Sequence, residues 1–395
     1  MRVCVVGLRA LPSTIGGIET YCEMLYPHMV DEDANLLVTI LTRSGYSKER
    51  AFNFRSLNVR SIWSPRISGL ETAMHTLLAI IYARLTIHPQ VIHLHGVGPA
   101  FFALFARMLG MKTVVIHHAP DYRRPKWGMV GRWFLKSGER VAAQFADAII
   151  CVSDTVRRDF LGLYPSASSR TVAIRAAAAL PPPAWNHADE ILDELDLHRG
   201  RYILSVGRLE ATKALEDLID AFEIASPLGM KLVIAGSGIG DERYAQKLIE
   251  RASDKIVFAG PRYGSALRTL YTEAALFVHP SHMEGFALVV AEALSVRLPV
   301  ILSDIEPHRE FKLRDNCYFR RGDVHQLARL LAMDSYESFY SREQCEIQSA
   351  KSWTHVAQEH LSVLAGLSRE RKRAPSQPDF TVNSRHSDIS SNTDQ

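Results

Sequence analysis

Two glutamates with seven residues between them, Glu284 and Glu292, lie in the stretch FVHPSHMEGFALVVAEALSVRLPVILSDI (277 to 305). FALVVAEAL is apolar on every side, which predicts a core helix, and a charge inside such a helix is costly unless paired. Glu292 therefore needs a partner. Glu284 stands just before the helix and Gly285 gives its first turn room for close approach, so free amide N–H groups would point at anything bound there. The pattern reads as an anion site flanked by two carboxylates. A purely structural reading also fits: Glu284 caps the helix and Glu292 meets a core cation.

Other stretches carry complementary chemistry. RYILSVGRLEATKALEDLIDAF (201 to 222) reads as a buried strand and then Gly207, with Arg208 and Lys213 placed before an amphipathic helix. Two cations at a helix start suit a diphosphate, although a basic surface turn has the same look. Near the beginning, VCVVG leads through Gly16 and Gly17 into a helix with Ile18, Tyr21, Cys22 and Leu25 on its apolar side. Paired glycines let backbone approach a phosphate or sugar, or simply make a tight turn. In TVVIHHAPDYRRPKWG (113 to 128), two imidazoles, an acid and three cations leave one strand end together. His118 in that group is a candidate hydrogen-bonding or general-base residue, or a satisfied strand-end histidine.

These strings together resemble one family. S-x-x-E-G-F, the second Glu, L-P-V-I and S-D-I-E-P-H-R-E are similar to the donor-site signature of the retaining glycosyltransferases of family 4. G-R-L-x-x-x-K resembles that family's diphosphate segment, and G-G-x-E its glycine loop. H-x-x-D-Y-R-R-P-K-W-G is similar to a segment of the bacterial subgroup related to polysaccharide rhamnosyltransferases. The resemblance implies an α/β protein of GT-B fold, two Rossmann-like domains facing across a cleft. It implies that Glu284 and His118 contact the transferred sugar and that Arg208 and Lys213 bind the diphosphate. Glu292 would hold the ribose, with the backbone of Gly285 and Phe286 near sugar and phosphate, and Gly16 and Gly17 on the facing side. The loop at Gly260, Pro261 and Arg262 would lie near the base. Three departures stand out: TVAIRAAAAL replaces the usual strand and I-P-N-G, so Ile174–Ala176 depart from the pattern, and Ala214 and Arg297 stand where glycine is usual.

Positioning these groups requires two α/β units, which 395 residues accommodate. Strand and helix alternate throughout, as in parallel sheets covered on both faces, with ligands at the carboxyl ends of the strands. His93 and His95 end one such strand and read as structural. The expected divisions are an acceptor-side domain over residues 1–182, a nucleotide-sugar domain over 183–350, a helix over 351–368 returning to the first domain, and a disordered tail over 369–395, with Pro181, Pro182 and Pro183 as a semi-rigid linker. GSGIG (236 to 240) lacks the full dinucleotide spacing and reads as a glycine turn.

A net charge of +3 gives no general nucleic-acid character. Five scattered cysteines, Cys4, Cys22, Cys151, Cys317 and Cys345, fit reduced buried thiols and a cytoplasmic setting rather than zinc. No metal or cofactor is expected beyond the nucleotide sugar. From Arg123 to Arg140, cations alternate with Trp127, Met129, Val130, Trp133, Phe134 and Leu135, which suits either an anionic inner-leaflet membrane surface or a solvated helix with its aromatics packed inward. The activity implied is retaining, metal-independent transfer of a hexose-type sugar to a hydroxyl acceptor, a saccharide or lipid-linked saccharide in surface-polysaccharide assembly. A nucleotide-sugar epimerase or hydrolase, or a non-catalytic binding subunit, would share the same motifs.

Overall fold

The computed structural model describes residues 1–12, 16–47, 49–65, 67, 69–181, 188–238 and 242–373. Runs such as VCVV and AIIC are apolar at successive positions because both faces of their sheet are covered. They form the first sheet: β1 (Arg2–Val6), β2 (Leu37–Arg43), β3 (Ala51–Phe54), β4 (Leu57–Ile62), β5 (Val91–His95), β6 (Lys112–His117), β7 (Ala148–Cys151) and β8 (Thr171–Ala173). Among the described residues its order is β3-β4-β2-β1-β5-β6-β7-β8. All pairings are parallel except the β3–β4 hairpin, which closes one edge. The sequence reading did not separate β3, whose four residues carry only a brief alternation.

A second parallel sheet contains β9 (Tyr202–Val206), β10 (Lys231–Ala235), β11 (Ile256–Gly260), β12 (Leu276–His279), β13 (Val300–Ser303) and β14 (Tyr318–Phe319), in the order β11-β10-β9-β12-β13-β14. The strand order reverses between β9 and β12, the place where such sheets open a crevice for ligands. One apolar core covers this sheet. Two cores sandwich the first sheet, one on each face.

The helices that matter for the site are α1 (Gly17–Glu32), α2 (Leu70–Tyr82), α3 (Met129–Phe145), α4 (Asp154–Leu163), α5 (Leu215–Ala225), α6 (Leu288–Ser295) and α7 (Trp353–Arg373). Trp353, Val356, Ala357, Leu364 and Leu367 of α7 enter the core beside α1, so the C-terminal helix packs on the first domain although it follows the second. It runs to Arg373, and the remainder of the expected tail lies outside the described residues. The expected boundary at residue 182, with Pro182 and Pro183, lies outside them as well.

All five cysteines are buried and free, as their apolar surroundings predict. Among the described residues no helix is long and apolar enough to cross a membrane. Ser153 caps α4, its hydroxyl accepting from the Val156 amide at 3.1 Å.

Candidate active site

The second domain contributes two loops. After β9, Gly207 passes directly under Gly236, where any Cβ would run into the Gly207 carbonyl. This tight crossing presents Arg208. After β12, the chain turns through Pro280–Gly285 into α6, and Ser281 Oγ donates to the Thr212 carbonyl at 3.0 Å, tying the two loops together. Lys213 Nζ lies 2.5 Å from Glu284 Oε1 and His279 Nε2 lies 2.7 Å from the same oxygen. Burial pushes the Glu284 carboxyl up, but the Lys213 charge and the His279 hydrogen bond outweigh it and hold the carboxyl well below its usual range. Glu284 is therefore an anion at neutral pH.

Arg208 Nη2 lies 2.9 Å from Glu210 Oε1, and Arg124 of the first domain reaches the same oxygen at 2.7 Å while its Nε binds Asp121 at 2.8 Å. Glu210 thus joins the two domains. Its position between Arg208 and Lys213 was legible as a charge within the cationic pair, but the partner from the first domain was not. His279, Glu284 and His308 bring three ligand-type atoms within 4.8 Å of one another. The Lys213 ammonium already supplies a cation there, which disfavours a metal in the same place.

Glu292, expected to need a partner, finds the Tyr271 hydroxyl at 3.0 Å and the backbone N–H of Ala179. Burial raises its carboxyl to about 7, exceeding the opposing effect of those two hydrogen bonds. Among the described residues no cation meets Glu292, so that part of the structural reading is corrected: an acid that can stay neutral, with two donors, needs none. Ala179 belongs to the stretch that replaced I-P-N-G. Ile174 and Ala176 of that stretch are buried in the first core, and the Trp353 indole donates to the Ala178 carbonyl at 2.9 Å. Hinge-side contacts are made here by backbone, by apolar groups and by Arg175, whose Nε lies 3.4 Å from Glu310 of the second domain.

Across the cleft, the backbone of His118 meets Gly285 so closely that a Cβ on Gly285 would overlap the His118 carbonyl oxygen. Phe286 packs against both domain cores and sits 5.5 Å from the Phe311 ring. A Cβ on Gly16 would lie 3.6 Å from Arg208 Cδ, which brings the first-domain loop to the cation; the Gly16 backbone itself is extended, and Gly17 begins α1. Glu310, from the S-D-I-E-P-H-R-E string, accepts the first-turn amides of α4 from Asp154 at 3.2 Å and Thr155 at 2.5 Å. A carboxylate from the second domain thereby caps a helix of the first.

The structure brings Gly16, His118, Arg208, Lys213, Glu284, Gly285 and Phe286 into one cleft, with Glu292 one helical turn inside it. Pro261 and Arg262 follow the edge strand β11, and the Arg262 guanidinium pairs with Glu194 at 2.7 Å.

The first domain matches the family model for Glycosyltransferase Family 4 over residues 15–176, and the second matches Glycosyl transferases group 1 over residues 189–332. The chain belongs to the GT-B glycosyltransferases. A GDP-mannose-dependent alpha-mannosyltransferase of Mycobacterium tuberculosis is 27% identical over 336 residues, covering 78% of this chain and 82% of that protein. O-antigen chain mannosyltransferase B of Escherichia coli is 27% identical over 216 residues, covering 53% of this chain and 56% of its own. The solved sucrose-phosphate synthase of Thermosynechococcus elongatus superposes with a TM-score of 0.77 at 18% identity, over 93% of this glycosyltransferase and 99% of that chain.

Proposed function

We propose that this glycosyltransferase moves a hexose-type sugar from a nucleotide diphosphate sugar to a hydroxyl of a saccharide acceptor carried on a lipid, with retention and without a metal. The observation that carries the reading is the cleft in which Arg208 and Lys213, each paired to a carboxylate, face His118 across Gly285. A diphosphate entering there would take over cations now held by Glu210 and Glu284, and those cations would stabilise charge developing on the leaving group. Glu284, kept ionised, would accept from sugar hydroxyls, while the Gly285 and Phe286 amides and the Gly16–Gly17 loop shape the pocket around sugar and phosphate. Glu292 would accept from the ribose. Pro261 and Arg262 would sit toward the base only if the base reaches the edge of the second sheet.

Glu284 is held by Lys213 and His279, an arrangement suited to hydrogen bonding more than to nucleophilic attack. A front-face reaction, with the leaving phosphate oxygen taking the acceptor proton, is the mechanism in keeping with that arrangement. The likeness to an O-antigen mannosyltransferase supports a role in polysaccharide assembly, and the H-x-x-D-Y-R-R-P-K-W-G segment supports the rhamnosyltransferase-like subgroup.

The start of α3 supports the lipid-linked acceptor. Met129, Val130 and Trp133 are 87%, 81% and 65% exposed among Lys126, Arg132 and Lys136, while Phe134 and Leu135 turn inward, Phe134 to 4.7 Å from Phe101. The outward side of the helix has the composition the membrane reading calls for, and the inward side packs its aromatics as the other reading expects. An apolar tip ringed by cations suits an anionic leaflet. Met129→Ser with Trp133→Ser should lower sedimentation with anionic vesicles; unchanged sedimentation would remove the membrane reading.

Product analysis with a panel of nucleotide sugars tests the reaction itself. Transfer of the sugar to a lipid-linked acceptor, with little nucleotide release in its absence, is the expected result. Epimerised or free sugar formed equally without acceptor would contradict it.

A further inference from the structure

His118 uses one ring nitrogen within its own domain. Its Nε2 lies 3.0 Å from His95 Nδ1, and the two rings stack with centroids 5.3 Å apart. His95 Nε2 lies 2.6 Å from the Tyr26 hydroxyl, and that hydroxyl lies 2.8 Å from His93 Nδ1. Tyr26, His93 and His95 are all buried. The chain ends at His93 Nε2, which is buried without a partner among the described residues. At the other end, His118 Nδ1 has no protein partner among the described residues and, unlike His93 Nε2, is not sealed from solvent. Burial lowers His93 and His118 to about 3 and lowers His95 strongly, so near neutral pH each ring carries a single N–H.

The one proton on the Tyr26 hydroxyl allows two polarities. If Tyr26 donates to His93 Nδ1, then His95 donates from Nε2, its Nδ1 accepts from His118 Nε2 or from the Cys22 thiol 3.4 Å away, and His93 carries its proton on Nε2. That arrangement buries an unpaired N–H. In the reverse polarity His93 Nδ1–H donates to Tyr26, Tyr26 donates to His95 Nε2, and His95 Nδ1–H donates to His118 Nε2. The orphan at His93 is then only a lone pair, the less costly group to leave unpaired. His118 is left with its proton on Nδ1.

We propose that Tyr26, His93 and His95 form a tautomer relay that fixes His118 as an Nδ1–H donor to a hydroxyl oxygen of the transferred sugar. Tyr26 and His95 are positioning residues, and a protonated Nδ1 excludes the general-base role for that atom. The Tyr21 ring stands edge-on to His118 at 5.3 Å and 89°, while its hydroxyl lies 2.7 Å from His360 Nε2 on α7, so the ring plane is held from a second side. The sugar contact rests on the proposed function; the tautomer does not.

The test is imidazole nitrogen NMR on the full chain and on Tyr26→Phe, which removes one oxygen and keeps the ring that fills the core. Wild-type His118 should show a protonated Nδ1 and an unprotonated Nε2, and Tyr26→Phe should give a tautomer mixture at an unchanged fold. In the same variant kcat/KM for transfer should fall about tenfold or more, in line with loss of an oriented donor, while nucleoside diphosphate affinity stays the same. His95→Asn, whose amide can donate from near the Nδ1 position, should retain more transfer than His95→Leu. A wild-type His118 protonated on Nε2, or a tautomer indifferent to Tyr26→Phe, would overturn the relay. A changed tautomer with unchanged transfer would overturn the sugar contact instead, and with it the placing of His118 in the donor site.

Discussion

Gly285→Ala probes how tightly the two domains must meet. An alanine Cβ would overlap the His118 carbonyl oxygen and lie 2.8 Å from its carbon and 3.2 Å from Ala119 Cβ. Ordinary carbon contacts begin near ~3.5 Å, so the carbon pair alone must open by roughly 0.7 Å and the oxygen overlap demands more. The obstruction is backbone against backbone, so no rotamer change relieves it. Opening by about 1 Å would stretch the Arg124–Glu210 bridge, now 2.7 Å, and draw His118 from Glu284. Misplacement on that scale costs on the order of 100-fold in rate. Gly285 lies outside both sheets, so each domain should keep its fold. Steady-state transfer, calorimetric binding of nucleoside diphosphate and small-angle scattering together provide the assay. Turnover should fall about 100-fold, with binding to the second domain largely kept and the particle slightly expanded. Transfer within threefold of wild type would refute the claim that this contact sets the working geometry.

Glu292 makes a prediction about pH. Its folded carboxyl holds its proton more tightly than the unfolded one, so stability should fall as pH rises from about 4.5 to about 7 and level off above that. Glu292→Gln, which cannot ionise, should remove this slope and gain up to about 3 kcal/mol over wild type at pH 8; denaturant melts showing equal slopes would count against a proton-binding Glu292. Because the ribose would bond the carboxylate, wild-type nucleotide affinity should rise through pH 7, and titrations at pH 6 and 8 check it. Ala214 and Arg297 have φ of 48° and 64°, both left-handed. Ala214→Gly and Arg297→Gly should each stabilise by about 1 kcal/mol in thermal or denaturant melts, and no gain at either site would show that the backbone there is not strained.

The positions of these two residues show what was legible from sequence. A preference for glycine at residues 214 and 297 is a local backbone property, and the positive φ at both agrees with it. The alternating strands, the continuous apolar runs of the parallel sheets and the core helix around Glu292 follow equally from local pattern, and the GT-B fold that the family resemblance implied is the fold observed. What stayed hidden depends on distant chain segments. Tyr271 and Ala179 as partners of Glu292, Arg124 as a partner of Glu210, and Glu310 as the cap of α4 join residues separated by 21 to 156 positions or by the domain boundary. His93 and His95, read as structural, are buried and hydrogen-bonded, and only the fold brings Tyr26 between them and His118 against His95. The β3 hairpin strand was missed because four residues at a sheet edge leave almost no periodic signal.

Arg208 and Lys213 are proposed to hold the diphosphate of a nucleotide sugar. Calorimetric titration of a nucleoside diphosphate panel, with the matching monophosphates, into wild type, Arg208→Ala and Lys213→Ala tests it most directly. One diphosphate should bind, its monophosphate should bind more weakly, and each variant should lose roughly 10- to 100-fold in affinity, the worth of a charge-assisted hydrogen bond. Wild type binding none of the diphosphates, or both variants binding as tightly as wild type, would contradict it.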